Sequence, residues 1–284
     1  MRREGRDGGQ GTRRYDPAMI ARLSALSLTV RLWHTARRWA LAWWRILYLG
    51  AVVLVLVLSP SSYGKDTRGA LARHLYLNAA PVLVGFTVLA ALISLVLTRI
   101  VVVTALSYGL SRYALEMVIR VLVLELIPLT AALFVAMRCT IPNGTQITRL
   151  KQRGRFDALR AHGSDPVRIE LLPRVVAGVF ACITLAALSC VVALVLVYLG
   201  VYGFNLAGLS SYTRMFGQVF SPSVTMVFVL KTVFFSLAVA LIPMAAGLYD
   251  AGERTQPDSE LGGLARMFAV LLLIEVASLM GNYY

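Results

Sequence analysis

Five long apolar runs, separated by basic or glycine-containing stretches, organise this chain of 284 residues. Leu75 to Leu97 is 23 residues without a formal charge, enough for one helix to cross about 30 Å of hydrocarbon. Val121–Met137 is short alone, and extends back to residue 114 with Glu116 and Arg120 at the outer interface. The run from Val175 stays uncharged to Thr213, and Gly200, Gly203, Asn205 and Gly208 mark its passage from helix to loop. Val224–Tyr249 is interrupted only by Lys231, and a last run, from about Leu264 to Gly281, holds Glu275. The pattern predicts spans at 75–97, 114–137, 175–199, 224–249 and 264–281. The fold class is all-α, a polytopic membrane helix bundle. A sixth apolar segment, Trp39–Leu58, carries one charge, Arg45, and has the length of a span.

Composition agrees with a membrane protein. Hydrophobic residues make up 58% and charged residues 15%, against about 25% charged in soluble domains, and the mean hydropathy is +0.72. The net charge of +14 reports orientation rather than nucleic-acid binding. Nine arginines lie in residues 1–38, Lys65, Arg68 and Arg73 in 59–74, and eight Lys/Arg in 138–174. All three groups face the cytoplasm if Trp39–Leu58 does not cross, as the excess of basic residues on the inner side requires. That arrangement leaves only Arg99, Arg112 and Arg214 outside. The chain then divides into a basic cytoplasmic tail (1–38), disordered at its Gly/Arg-rich start, an interfacial helix and connector (39–74), and a membrane domain (75–284). The amino terminus is cytoplasmic and the carboxyl terminus periplasmic. Trp39, Trp43, Trp44 and Tyr48 suit headgroup depth. The tail does not read as a signal peptide, because it is long, contains Glu4, Asp7 and Asp16, and no small-x-small cleavage site follows.

Catalytic motifs are scarce. No G-x-x-x-x-G-K-[ST] loop precedes Lys65, Lys151 or Lys231, so ATP, if used, is bound by another chain. His34, His74 and His162 are far apart and no metal site is expected. Cys139, Cys182 and Cys190 form no disulfide framework. The informative stretch is 124–174. It contains Leu124-Glu125-Leu126-Ile127-Pro128, then Ala136-Met137-Arg138, then a basic segment with Arg149, Lys151, Arg153, Arg155 and Arg160. Phe156-Asp157-Ala158-Leu159, Asp165-Pro166 and Leu172-Pro173-Arg174 follow. This reads as a span with a buried carboxylate, leading to a cytoplasmic loop with a short helix over 155–162. Asp165-Pro166 is expected to break that helix, and Pro173 to start the next span. A short helix held between two spans is a suitable docking knob.

This run resembles the permease subunit of the MCE-associated ABC lipid transporters, the Mla-type phospholipid permeases. Glu125, Leu126, Pro128, Arg138, Ala158, Leu159, Asp165, Pro166, Arg168, Pro173 and Arg174 match that pattern in one frame. Lys231, Gly247-Leu248-Tyr249-Asp250, Glu275 and Gly281-Asn282 match further on, so the resemblance covers roughly residues 74–284. The chain departs at Leu124 (Arg in the family), Ile127 (Gly), Met137 (Gly), Gln146 (Glu) and Gly154-Arg155 (Glu-Gln), as a divergent member would. The resemblance implies five spans after an interfacial helix, and a homodimer in the inner membrane. It also implies a cytoplasmic ATPase subunit that holds ATP and Mg, a periplasmic MCE-domain protein, and phospholipid cargo, with no cofactor in this chain. It places Glu125, Tyr108, Leu124 and Pro128 at the lipid site. Coupling to the ATPase falls to Arg155, Asp157, Leu159, Asp165 and Pro166. Lys231 and Glu275 are intramembrane charges of opposite sign, for which an ion pair and a functional role both stand. Export of small apolar solutes, or a non-transporting scaffold, are the alternative functions.

Overall fold

The computed structural model describes residues 17–59, 65–109, 111–249 and 257–283, and every regular element among them is helical. The expected disordered start of the tail lies outside the described residues. Two compact units meet in sequence between Leu47 and Tyr48. The first contains most of helix α1 (Pro17–Leu58). There the rings of Trp39 and Trp43 pack edge to face at 5.6 Å, while Trp39, Trp44 and Leu47 are exposed.

The second unit carries the membrane domain. After α2 (Lys65–Ser107) comes a helical column that runs from Ser111 to Gln152 through α3 (Ser111–Val118), α4 (Ile127–Val135) and α5 (Ile141–Gln152). Next are the short α6 (Arg155–Ala161), α7 (Leu172–Tyr202), α8 (Leu209–Val219), α9 (Pro222–Tyr249) and α10 (Pro257–Tyr283). Six helical segments are long and apolar enough to cross a membrane: Trp39–Val57, Val82–Ala105, Leu115–Gln152, Val167–Tyr202, Pro222–Tyr249 and Gly262–Asn282. Trp39–Val57 is among them by length and composition.

α7 is the central strut because one of its faces is built from small residues. Ala177, Gly178, Ala181, Ala186, Ser189 and Ala193 are buried and let α2, α4 and α9 approach closely, the packing that membrane helices use where lipid supplies no hydrophobic drive. A Cβ added at Gly178 would lie 3.0 Å from Thr140 Cγ2, and one at Gly200 3.1 Å from Thr98 Cγ2. Outward-facing Val84, Leu92, Leu95 and Val191 remain exposed, as lipid-facing or partner-facing positions would be. Between α7 and α9, α8 packs Tyr212 and Val219 into the bundle. Burial, reinforced by Tyr202 close by, pushes the Tyr212 hydroxyl up to about 12, and it donates to the Leu194 carbonyl at 2.8 Å.

Pro173 was expected to start a span, and the structure treats it as it treats two other prolines of the long helices. Helix continues through Pro128, Pro142 and Pro173, each preceded by a wide, π-helical segment: Ile119–Leu126, Ala136–Thr140 and Val167–Leu171. A proline removes an N–H and crowds the carbonyl four residues back; widening the preceding turn accommodates that crowding without ending the helix. The second span therefore continues as helix to Gln152, beyond the expected boundary at 137, while Pro173 stands in the first turn of α7 with the wide turn Val167–Leu171 running into it.

Candidate functional site

The carboxylate of Glu125, on the wide turn before Pro128, meets Lys231 of α9. The Lys231 ammonium is 2% exposed, and pairs with Glu125 Oε2 and, at 2.9 Å, with Glu275 Oε2 of α10. It also donates to the Leu124 carbonyl at 3.3 Å. That carbonyl is available for a reason visible in the sequence: its α-helical donor would be the N–H of residue 128, which is proline. Asn282 Nδ2 donates to the other oxygen of Glu125 at 3.3 Å. Glu275, Ser278 and Asn282 share one face of α10 by their spacing. Ser278 Oγ and Asn282 Oδ1 are buried there without a hydrogen-bond partner. Two carboxylates thus share one ammonium inside the bundle. Leaving such charges unpaired in hydrocarbon is costly, so their presence marks a built polar centre.

This gathers three residues that the sequence picks out separately. Glu125 was placed with the lipid site and Lys231 and Glu275 in a group of their own; the fold joins them, across 106 residues between Glu125 and Lys231. Leu124 contributes its main-chain carbonyl, while its side chain is in the core with Ile119, Val123 and Ala193. Pro128 is buried directly after the wide turn. Tyr108 is not brought to this centre: it follows α2 in a turn, with 76% of its surface exposed and no contact to Glu125 among those described. Asn282, which sequence reasoning noted only as part of a terminal match, is the missed member of the group.

The second candidate region is the segment around α6. α6 spans Arg155–Ala161, close to the expected 155–162. Its terminator differs from the expectation. Gly163 adopts φ +72, Gly163 N–H donates to the Arg160 carbonyl at 2.9 Å, and Ser164 N–H to the Leu159 carbonyl at 3.0 Å. This is the paired helix ending that glycine permits. Asp165 instead opens the next helix, its carboxylate accepting from Val167 N–H at 3.0 Å, with Pro166 following where a missing N–H is tolerated. Phe156 is buried and anchors α6. Arg155 lies 3.8 Å from Glu170, which also pairs with the buried Arg174 at 2.7 Å. Asp157, 3.8 Å from Arg160, is largely exposed, and Leu159 is half-buried. The anchored helix therefore presents a polar outer face. Lys151, expected as one of five loop cations, instead donates to the Leu248 carbonyl at 2.7 Å.

A direct consequence concerns Gly163. Gly163→Ala is expected to destabilise the turn by about 1 kcal/mol or more, since a β-carbon disfavours the left-handed conformation. Limited proteolysis at 160–166 should accelerate. Replacing Asp165 and Pro166 with alanine should leave the end of α6 intact, because Gly163 still terminates it.

No curated protein matches the chain. A model of one family, Permease MlaE, matches residues 71–280, which takes in every helix from most of α2 to nearly the end of α10. With its polytopic helical fold, the chain belongs to the MlaE permease family.

Proposed function

We propose that this chain is the membrane subunit of an ATP-driven transporter that moves phospholipid, or a related apolar lipid, between the inner and outer bacterial membranes. Two copies form the path, and cargo enters a cavity between them that opens toward the periplasm. A separate cytoplasmic ATPase binds ATP and Mg and acts on the α6 region, Arg155 to Pro166, while a periplasmic MCE-domain protein receives or supplies lipid. The reading rests on the family match over residues 71–280, and the single structural observation that supports it best is the buried Glu125–Lys231–Glu275 centre. A chain that only anchored partners would have no need to keep three charges inside its bundle, where each is costly to insert.

The role divides along physical lines. Glu125 and Lys231 set a polar point within an apolar bundle, where a headgroup can be held while acyl chains lie against the exposed apolar faces. The α6 segment, anchored by Phe156 and Glu170, offers a rigid face to the ATPase. This chain itself performs no hydrolysis in the proposal. The test is purification of the intact complex in mild detergent, with mass spectrometry of its protein chains and lipids. An ATPase, an MCE-domain chain and bound phospholipid are expected. Partners without lipid, and no lipid-dependent hydrolysis, would favour a scaffold; small apolar solutes in place of lipid would favour an exporter.

Orientation is checked independently. A cysteine at Ser210, exposed on α8, is expected to react with an impermeant maleimide in intact spheroplasts. One at Asp157 should react only after permeabilisation. Labelling of both from outside would refute the inward placement of the basic segments.

A further inference from the structure

We propose that Lys151, together with the backbone contact of Gly144 and Gly247 beside it, is a positioning device that ties the cytoplasmic end of the molecule to α9 and so to Lys231. The inference rests on reading α6 as the docking segment. α5 meets the end of α9 along one face, at residues 144, 148 and 151. A Cβ at Gly144 would lie 2.6 Å from the Pro243 carbonyl, and one at Gly247 would run into the Gly144 carbonyl, so the two backbones touch with no side chain between them. Thr148 Oγ1 donates to the Gly247 carbonyl at 3.3 Å, and Lys151 Nζ to the Leu248 carbonyl at 2.7 Å. Leu248 is in the last turn of α9, where carbonyls lack helical donors and a cation is favoured by the helix dipole. A charge-assisted bond there is among the stronger ones available.

The same two helical columns are joined a second time deeper in the bundle. Glu125 is on the column Ser111–Gln152 and Lys231 is on α9, 16 residues before Gly247, a rise of about 24 Å. Between the two grips the column carries the wide turn Ala136–Thr140 and Pro142, and α9 carries Pro243. Helices deform at such points before they deform elsewhere. Lys151 is four residues from the start of α6. A push on α6 therefore reaches the end of α9 through Lys151 and the glycine contact, and α9 carries it to Lys231. A surface lysine would make no such connection.

The test uses the permease–ATPase complex in proteoliposomes of phosphatidylethanolamine and phosphatidylglycerol. Spin labels are placed on introduced cysteines at exposed Arg153, Met226 and Val195, the three native cysteines being buried. The Arg153–Val195 distance follows the cytoplasmic end, and the Met226–Val195 distance follows α9. A non-hydrolysable ATP analogue is expected to shift both distances in the parent. In Lys151→Met the first should still shift and the second should not, with lipid-stimulated hydrolysis down by about tenfold, the factor for one charge-assisted hydrogen bond. Lys151→Arg, which can still donate, should restore both. Gly247→Ala, if it folds, should act like Lys151→Met. An unchanged Met226–Val195 shift in Lys151→Met, or no rescue by arginine, overturns the inference while the docking reading stands. ATPase binding without any nucleotide response in the parent overturns the inference alone, and no ATPase binding overturns both.

Discussion

Lys231→Met should be the most destabilising single substitution in the membrane domain. It leaves the carboxylates of Glu125 and Glu275 buried without their shared ammonium, and breaking a buried ion pair from one side costs about 3–5 kcal/mol. The Leu124 carbonyl, which has no N–H at residue 128, loses a donor as well. Thermal unfolding in detergent should show a large fall in midpoint, with poor recovery of assembled complex. The charge count then predicts a rescue. Lys231→Met combined with Glu125→Gln and Glu275→Gln removes the uncompensated charges and should recover most of the lost stability, but without transport. Glu275→Gln alone leaves Lys231 paired with Glu125 and should be mild. A Lys231→Met protein as stable as the parent would show that the three charges are not coupled as the geometry has them.

Glu125→Leu and Glu125→Gln separate cargo contact from structural support. Both Glu125 oxygens have protein partners, Lys231 and Asn282. Leucine leaves Asn282 Nδ2 without its acceptor and Lys231 with only Glu275 and the Leu124 carbonyl, at about 1–3 kcal/mol, and should lower the melting midpoint. Glutamine keeps one acceptor and should stay close to the parent in stability. If the proposed lipid role holds, Glu125→Gln should still reduce co-purified phospholipid and lipid-stimulated hydrolysis, because the charge at the polar point is gone. Measuring occupancy, assembly and melting on the same preparations decides the matter. Normal occupancy and hydrolysis in both variants would remove Glu125 from the cargo path and leave it a structural carboxylate.

Much of the architecture could be read from uncharged runs alone. Their lengths predict the long helices, and the isolated charges at Glu125, Lys231 and Glu275 stand out against them because hydrocarbon penalises each one. The extent of α6 was also legible, although the expected stop was Asp165-Pro166 and the stop used is Gly163. Two things were not. Helix–helix contacts between residues 106 or 97 positions apart, such as Lys231 with Glu125 and Lys151 with Leu248, leave no periodic trace in one sequence. The persistence of helix through Pro128, Pro142 and Pro173 was hidden too, because a proline in sequence reads as a stop, while the remedy lies in the width of the turn before it. Lys151 illustrates a third difficulty. Its composition-level reading as an inner-side cation and its role as a helix cap give the same letter in the same place.

Those wide turns also change where this chain can vary in length. A π-helical turn holds more residues than an α-helical one, so loss of one residue between Ile119 and Val123, with an N–H restored at 128, would let the column wind as plain α-helix. Four residues at α-helical pitch turn through nearly the same angle as five in a wide turn, so the parts of the column on either side would keep their relative facing. The same loss from a plain α-helical stretch would instead turn one part of the column by about 100° against the other and aim Glu125 away from Lys231. Insertions and deletions ordinarily act through loops. Here a wide turn is a place inside the membrane where one residue can be lost or gained while the facing of Glu125 toward Lys231 is kept.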